Sequence, residues 1–243
     1  MFNSLKAILF LSILCVFSAS ATIQIQATRI IFNAAEKEQT VRINNVGEQP
    51  ELVQVWLSTD ANKNNTVKED LPFMINPPAA RINGQKGKVF RIFQLEEAKT
   101  KYPSDRETVL WFSALDIPAD SPDSADKNQL KMAFRTLIKF FYRPAGLKGN
   151  LIESANNVQW QLKKTAQGYD VIGTNQSPFH ITVAKAWLTD AQGKNIEITG
   201  DMIAPYSSLA FHFTKINGLT GKGIFKFNFV SDLGAYIERT HNF

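Results

Sequence analysis

The longest regular alternation of side chains in this 243-residue chain lies in residues 129–144. The even positions of this stretch are apolar or β-branched: Leu130, Met132, Phe134, Thr136, Ile138, Phe140 and Tyr142. The odd positions begin polar or small and then include the apolar Leu137 and Phe141. A period of two is typical of a strand with one covered face, and apolar residues on both faces are typical of a central strand. The pattern predicts one long strand, and a helix is disfavoured because the apolar residues would not form one stripe.

Two cations interrupt apolar rows of this kind. Lys139 stands between Leu137 and Phe141 on one face of the long strand. Near the start of the chain, Arg29 stands in an alternating row whose other members are Ile23, Ile25, Ala27 and Ile31. Taken singly, each cation is explained by a local carboxylate or by a charged end that extends to water. The two together indicate a cleft that holds a fixed anion, and a guanidinium fork beside an ammonium suits a carboxylate.

Short strand patterns separated by turn residues continue along the chain. They are expected at residues 22–32, 39–44, 52–57, 88–95 and 108–115, and again at 158–163, 169–173, 180–188, 209–214 and 223–230. The prolines of residues 73–78 are expected to stop pairing, because proline cannot donate to a ladder. No convincing helix is found, and Gly and Pro cluster just after Pro144. We therefore expect an all-β chain of two β-sandwich domains, at residues 22–147 and 148–243.

Residues 1–21 have the pattern of a signal peptide. Lys6 supplies the positive start, Ala7 to Phe17 the apolar core, and Ala19-Ser20-Ala21 the small-residue cleavage site. The only cysteine, Cys15, lies in this core, and lipid attachment there is disfavoured because the apolar core continues beyond it. The mature chain is then exported, free of cysteine, held together by its cores and without a stretch that would insert into a membrane.

Charge and motif content exclude several classes of function. Residues 22–147 carry 17 Lys and Arg against 15 Asp and Glu, and residues 148–243 carry 9 against 7. This even spread lacks the basic stripe that binds nucleic acid. The three histidines have no carboxylate or cysteine partners at metal-ligand spacing: His180, His212 and His241. No nucleophile–base motif is present, so we expect neither an enzyme nor a cofactor or metal.

Six segments of the chain carry a family resemblance. The strongest is Ile138-Lys-Phe-Phe-Tyr-Arg-Pro144, and the weaker ones are Thr28 to Phe32, Asn76 to Pro78, Asp105 to Glu107, Ile203 to Ser208 and Val230 to Gly234. In this order and spacing they resemble the periplasmic pilus (fimbrial) chaperones of the PapD type, whose signature is Ile-Lys-Leu-Phe-Tyr-Arg-Pro. The resemblance covers essentially the whole mature chain. It implies two immunoglobulin-like β-sandwich domains at an angle with a cleft between them.

The resemblance also implies a role for the cations and for the alternating row. Arg29 and Lys139 would bind the C-terminal carboxylate of a pilus subunit in the cleft. Leu130, Met132 and Phe134 would form a donor strand that fills the groove where the subunit lacks its own last strand. Main-chain pairing combined with pockets for alternate side chains is the logic of β-strand addition.

A third implied feature is an inter-domain ion network of Glu107, Arg143 and Asp232, which would set the angle between the domains. The match around Asp232 is weaker, because Leu233 stands for a usual aromatic residue and Ala235 for a usual glycine. The loop before the long strand is short and has no bracketing cysteine pair. The chain thus resembles the short-loop branch of the family.

The resulting expectation is a non-catalytic periplasmic chaperone without a cofactor, which binds pilus or fimbrial subunits and delivers them to an outer-membrane usher. A free copy with a bare strand can also associate with itself. One rival is an exported structural fibre subunit or adhesin, but such subunits are usually single incomplete domains with a disulfide. A secreted hydrolase is the other rival, and no nucleophile–histidine pair supports it.

Overall fold

Each half of the chain forms its own pair of packed β-sheets. The computed structural model describes residues 22–62, 69–119, 132–190, 192–214, 216, 219 and 223–243. The expected signal peptide and Leu130 lie outside the described residues. The all-β expectation and the division into two sandwiches are confirmed.

Among the described residues, nine strands form the N-terminal sandwich. One sheet has the order β1-β3-β7-β5, built from β1 (Ile23–Ile25), β3 (Glu38–Asn45), β7 (Lys86–Gln94) and β5 (Phe73–Asn76). The N-terminal five-stranded sheet has the order β2-β9-β8-β4-β6, built from β2 (Arg29–Asn33), β9 (Phe134–Arg143), β8 (Thr108–Pro118), β4 (Glu51–Ser58) and β6 (Ala79–Ile82). Every pairing is antiparallel except that of β2 with β9, which is parallel.

The core between these sheets is built from the alternate apolar residues that the sequence pattern singles out. In β9 the core residues are Ile138, Phe140 and Tyr142, which are all even positions of the long alternating stretch. Phe32 and Phe112 are fully buried beside them. Each buried phenylalanine contributes about 1.5–3 kcal/mol relative to an exposed one. The opposite face of β9, with Lys139 and Phe141, points away from this core.

The C-terminal sandwich is smaller and has its own core. A three-stranded sheet has the order β10-β11-β15, from β10 (Gln159–Thr165), β11 (Gly168–Asn175) and β15 (Ser207–Thr214). A five-stranded sheet has the order β13-β12-β16-β17 with β14 beside β12, from β12 (Ile181–Thr189), β13 (Asn195–Thr199), β14 (Met202–Ile203), β16 (Ile224–Val230) and β17 (Tyr236–Asn242). Phe213, Phe225 and Phe229 are buried between the two sheets.

The described ranges contain two short helices, which corrects the expectation that the chain has none. They are α1 (Ala98–Lys101) and α2 (Leu151–Asn156). The side chain of Asn150 accepts a hydrogen bond from the backbone N–H of Glu153 at 2.9 Å and so caps α2. An Asn followed three residues later by Glu is a start signal that the sequence contains. Within the described residues, no helix has the length and apolar character that crossing a membrane requires.

The first strand is divided between two sheets, which corrects the expectation of one continuous row. β1 pairs with β3 in one sheet, and β2 pairs with β9 in the other. The chain crosses between the sheets at residues 26–28, and the buried parity changes there. Ile23 faces the core before the crossing, whereas Ile30 and Phe32 face it afterwards. Arg29 therefore lies on the outer face of its sheet.

The proline-containing segment pairs more than expected. β5 pairs with β7 up to Asn76, the Asn76–Pro77 peptide bond is cis, and β6 begins two residues later. The prolines lie between two strands that occupy sheet edges, where no N–H is required of them. Pro78 still accepts a hydrogen bond through its carbonyl, from the N–H of Val55 at 2.9 Å.

Candidate functional site

The two cations singled out by the sequence lie side by side. In the parallel ladder between β2 and β9, Arg29 is the direct partner of Lys139. Neighbouring strands lie about 4.8 Å apart, so the two side chains leave the sheet at that spacing. Both are on the outer face, which is the face turned to the C-terminal domain. Like charges opposite each other destabilise a sheet, so the stability of the sheet does not explain why this pair is present.

Arg29 is held at the junction of the two domains. It is only 9 % exposed, and its Nη1 donates to the carbonyl oxygen of Val230 in the C-terminal domain at 3.1 Å. Its guanidinium lies 5.7 Å from the ring centre of Phe141, and its buried Nε has no hydrogen-bond partner. Burial lowers the pKa of Arg29, although the negative charges of Asp232 and Glu107 oppose this shift.

Lys139 is the less satisfied of the two. Its Nζ lies 5.9 Å from the ring centre of Trp111, the residue opposite it on β8. Burial and the positive charge of Arg29 lower the pKa of Lys139, and Asp201 opposes them. Among the residues that the structure describes, this ammonium has no hydrogen bond and no ion pair. The pair thus forms a half-buried positive pocket in which, among the described residues, neither cation has a direct ion-pair partner.

A third cation, Arg143, is fully satisfied a short distance along β9. Its Nε donates to Glu107 Oε1 at 2.7 Å, and its two terminal nitrogens donate to the oxygens of Asp232 at 2.9 Å each. Burial acts to lower the pKa of Arg143, but the hydrogen bonds and charges of Asp232 and Glu107 together raise it. The structure therefore brings together the three residues of the expected inter-domain network.

His180 joins this network from the C-terminal domain, which the sequence pattern did not indicate. Its backbone N–H donates to Glu107 Oε2 at 2.7 Å, and its Nδ1 lies 3.3 Å from the same oxygen. The N–H of Glu107 donates in turn to the carbonyl of Pro178 at 2.9 Å. The ring of His180 packs against Phe141 at 5.4 Å between ring centres. The carboxylate and the backbone N–H of Glu107 thus both form hydrogen bonds that link the two domains.

A tight turn after β16 completes the junction. Gly234 has φ +83°, and a Cβ at this position would lie 2.3 Å from Oγ1 of Thr28. Only glycine combines this left-handed conformation with so close an approach. Next to it, Leu233 is 97 % exposed. The sequence motif from Val230 to Gly234 marked this turn, but its contact with Thr28 becomes visible only in three dimensions.

Two of the expected donor-strand residues, Met132 and Phe134, lie beside an open sheet edge. β2 pairs with residues 139–143 of β9 only, whereas β8 pairs with residues 134–142 on the other side. Within the described part of the chain, residues 134–138 of β9 therefore have one free edge, which ends at Arg29 and Lys139. Met132 and Phe134 are each 57 % exposed beside it.

Comparisons with known proteins identify the family. The model of the pili and flagellar-assembly chaperone family, PapD N-terminal domain, matches residues 22–148, and that of the pili assembly chaperone PapD, C-terminal domain, matches residues 153–241. The chain belongs to this family of pilus-assembly chaperones. The expectation of two immunoglobulin-like domains and of a fimbrial chaperone is thereby confirmed, and the rival of a structural fibre subunit is not favoured.

Individual relatives are similar over nearly the whole chain. The probable fimbrial chaperone YadV of Escherichia coli K12 is 36% identical over 226 residues, which are 91% of this chain and 89% of the relative. The chaperone protein LpfB of Salmonella typhimurium LT2 is 35% identical over 229 residues, 93% of this chain and 91% of the relative. The crystal structure of YadV aligns with a TM-score of 0.76 and 34% identity, covering 92% of this chain and 100% of that structure.

Proposed function

We propose that this chaperone binds a newly exported pilus subunit by lending it β9, and that Arg29 and Lys139 bind the subunit's C-terminal carboxylate. The observation that carries the proposal is the open edge of β9, which ends at two desolvated cations on neighbouring strands. The chaperone then delivers the subunit to an outer-membrane usher. It acts in the periplasm after removal of residues 1–21, and it performs no catalysis.

The electrostatics favour a carboxylate as the ligand. The Arg29–Lys139 pair is partly withdrawn from water, so each charge raises the cost of the other. A carboxylate has two oxygens, one for a guanidinium N–H and one for the ammonium. Burial and the charge of Arg29 lower the pKa of Lys139, and the negative charge of a bound carboxylate would oppose both. Subunit binding is therefore favourable in part because it relieves the repulsion between Arg29 and Lys139.

The geometry also fixes the direction of the bound strand. A strand added along residues 134–138 of β9 would lie end to end with β2, which begins at Arg29. A partner whose C-terminus lies at Arg29 must then run in the same direction as β2, and so parallel to β9. Its main chain would satisfy the free edge, and Met132 and Phe134, with Leu130, would fill its groove.

The network of Glu107, Arg143 and Asp232 has an orienting role in this proposal. Buried ion pairs contribute little net stability, because desolvation offsets the attraction, but they fix geometry. The hydrogen bond from Arg29 to Val230 crosses the same junction. The network thus holds the two domains so that the guanidinium of Arg29 faces the position of the subunit terminus.

Co-expression with a candidate pilus subunit tests the proposal. Arg29→Ala and Lys139→Ala should each lower the amount of subunit that co-purifies from the periplasm by about tenfold or more, since each removes a charge-assisted bond to the carboxylate. Lys88→Ala is the matched control, because Lys88 is an exposed cation of β7 in the same domain. Far-UV circular dichroism of each variant should be unchanged. Normal subunit recovery with both alanine variants would overturn the proposal.

A further inference from the structure

Two buried carboxyl groups lie at one end of the core face of the N-terminal five-stranded sheet. Glu51 opens β4 and is 6 % exposed, and Asp116, near the end of β8, is 7 % exposed. In the ladder between these strands Val53 is opposite Asp116, so Glu51 is a diagonal neighbour of Asp116 on the same face. That face is the core face, because Val53 belongs to the core cluster.

One oxygen of each carboxyl group is unpartnered, and the two carboxyl groups also hydrogen-bond to each other. Oε2 of Glu51 and Oδ1 of Asp116 are buried without a hydrogen-bond partner. Burial and the neighbouring Asp116 raise the pKa of Glu51, and burial raises the pKa of Asp116. An uncompensated buried carboxylate is costly, so the pair is a site for a cation or a proton.

Within the described part of the chain, no neighbouring side chain supplies this cation. Arg81 lines a surface cavity of about 350 Å³ together with Glu51, but it is exposed and is the ladder partner of Leu52, on the opposite face. Among the described residues, neither acid forms an ion pair, and no group of three acidic or histidine side chains could hold a metal. Thr22 is the residue that does contact the pair, through a hydrogen bond from its Oγ1 to Asp116 Oδ2 at 2.9 Å.

Thr22 is also the first residue after the expected cleavage site. Its carbonyl oxygen accepts from the N–H of Val46 at 2.7 Å, which holds its backbone in place. The α-nitrogen of a threonine is three bonds from its hydroxyl oxygen, so this nitrogen lies within about 7 Å of Oδ2 of Asp116. Hydrogen bonding from Thr22 favours the charged form of both acids, since it acts to lower the pKa of each.

We propose that cleavage between Ala21 and Thr22 creates an α-ammonium group that binds the Glu51–Asp116 pair, so that leader removal completes the core of the N-terminal domain. Signal-peptidase hydrolysis adds water across the amide bond: Ala21 leaves as a carboxylate, and the Thr22 nitrogen becomes a protonated amine. In the precursor this nitrogen is an uncharged amide. The mature chain supplies a cation with three N–H donors to the two unpartnered oxygens. The inference rests on the proposed leader but not on subunit binding.

The test compares the mature chain, residues 22–243, with the same chain acetylated at the Thr22 amine. In the free chain, the pKa of the α-ammonium, followed by NMR, should lie at least one unit above the ordinary range of about 7.7–8.0. Acetylation should lower the Tm by about 4 °C or more. In the double variant Glu51→Gln, Asp116→Asn, the α-ammonium pKa should return to the ordinary range and acetylation should leave the Tm within about 1 °C. Glu36→Gln, at an exposed acid of the same domain, is the control that should behave as the unchanged chain.

Three results would overturn the inference: an ordinary α-ammonium pKa in the unchanged chain, an equal acetylation effect in the double variant, or an exported protein whose N-terminal sequence does not begin at Thr22. If the double variant does not fold, Asp116→Asn alone and the titration of the unchanged chain decide. Subunit co-purification is measured on the acetylated chain as well. Its loss or retention tests the proposed function separately, because the cleft cations are untouched.

Discussion

The Arg29–Lys139 pair and the Glu51–Asp116 pair belong to the same five-stranded sheet but face opposite ways. The cations lie on β2 and β9 and point outward to the junction of the domains. The acids lie on β4 and β8 and point into the core. In both pairs burial shifts the pKa values toward the neutral form. The same physical problem, two like charges withdrawn from water, is therefore posed on both faces of one sheet.

The direction that each pair faces decides where its counter-charge can come from. A pair on the outer face can be neutralised by another molecule, which is why we propose that the Arg29–Lys139 pair binds a subunit's carboxylate. The pair on the core face is less accessible, although Glu51 borders a surface cavity, and we propose that it is neutralised from within the chain. In both proposals, the face of the sheet on which a pair lies decides whether a partner or the chain's own terminus neutralises it.

The largest expected effect concerns Arg143, a cation that is neutralised within the chain, unlike Arg29 and Lys139. Arg143→Met should lower the free energy of unfolding by about 3 kcal/mol or more, because it leaves Glu107 buried without its strongest partner. Urea denaturation measures this change. Arg91→Met is the control: its ion pair with Glu38 is exposed, so the loss should be below about 1 kcal/mol. Equal losses would remove the distinction between buried and exposed pairs.

An intermediate effect concerns the pH dependence of the acid pair. The folded-state pKa values of Glu51 and Asp116 are raised, so the folded state binds protons more tightly than the unfolded state. In the acetylated chain, stability should therefore fall as the pH rises from about 4 through the raised pKa values, by on the order of 1 kcal/mol. With a free Thr22 amine the fall should be smaller, as measured by urea denaturation between pH 4 and 7. An identical fall in both forms would contradict the assignment of the ammonium.

The smallest effect concerns the cation pair. Lys139→Met should raise the free energy of unfolding at pH 7 by about 1 kcal/mol or less, because it removes a partly desolvated charge beside Arg29. The folded-state pKa of Lys139 is lowered, so the unfolded state binds its proton more tightly and the unchanged chain gains stability as the pH rises toward 10. The advantage of the variant should shrink over this range in thermal unfolding scans. A destabilised variant would mean that Lys139 is already neutralised in the free chaperone.

Local patterns predicted much of the fold and the identity of the unusual residues. The alternation through Ile138, Phe140 and Tyr142 predicted the core face of β9, and Lys139 stood out because it breaks the opposite row. The same reasoning would have found Glu51 and Asp116. Each ends an alternating apolar row, one through Val53 and Val55 and the other through Phe112 and Ala114, but neither was singled out.

Pairing between distant strands could not be predicted from such patterns. That Arg29 is opposite Lys139 depends on the ladder between β2 and β9, whose strands are more than 100 residues apart in the chain. The division of the first strand at residues 26–28 depends on which sheet each half joins. The position of His180 against Glu107 depends on how two separate domains pack. All three are long-range consequences of the fold, and a local period carries no information about them.

The short length of β2 has a consequence for the register of a subunit strand that pairs with β9. β2 begins only at Arg29, so residues 134–138 of β9, roughly 16 Å of strand, are left without a partner on that side among the described residues. If the C-terminal residue of a bound subunit is anchored at Arg29, the position of every other residue along β9 would be set by its distance from that terminus. Adding one residue to the subunit's tail would turn every alternate side chain from the groove to the solvent. The chaperone would therefore recognise a subunit by the distance of its groove-facing residues from the C-terminus rather than by any single side chain.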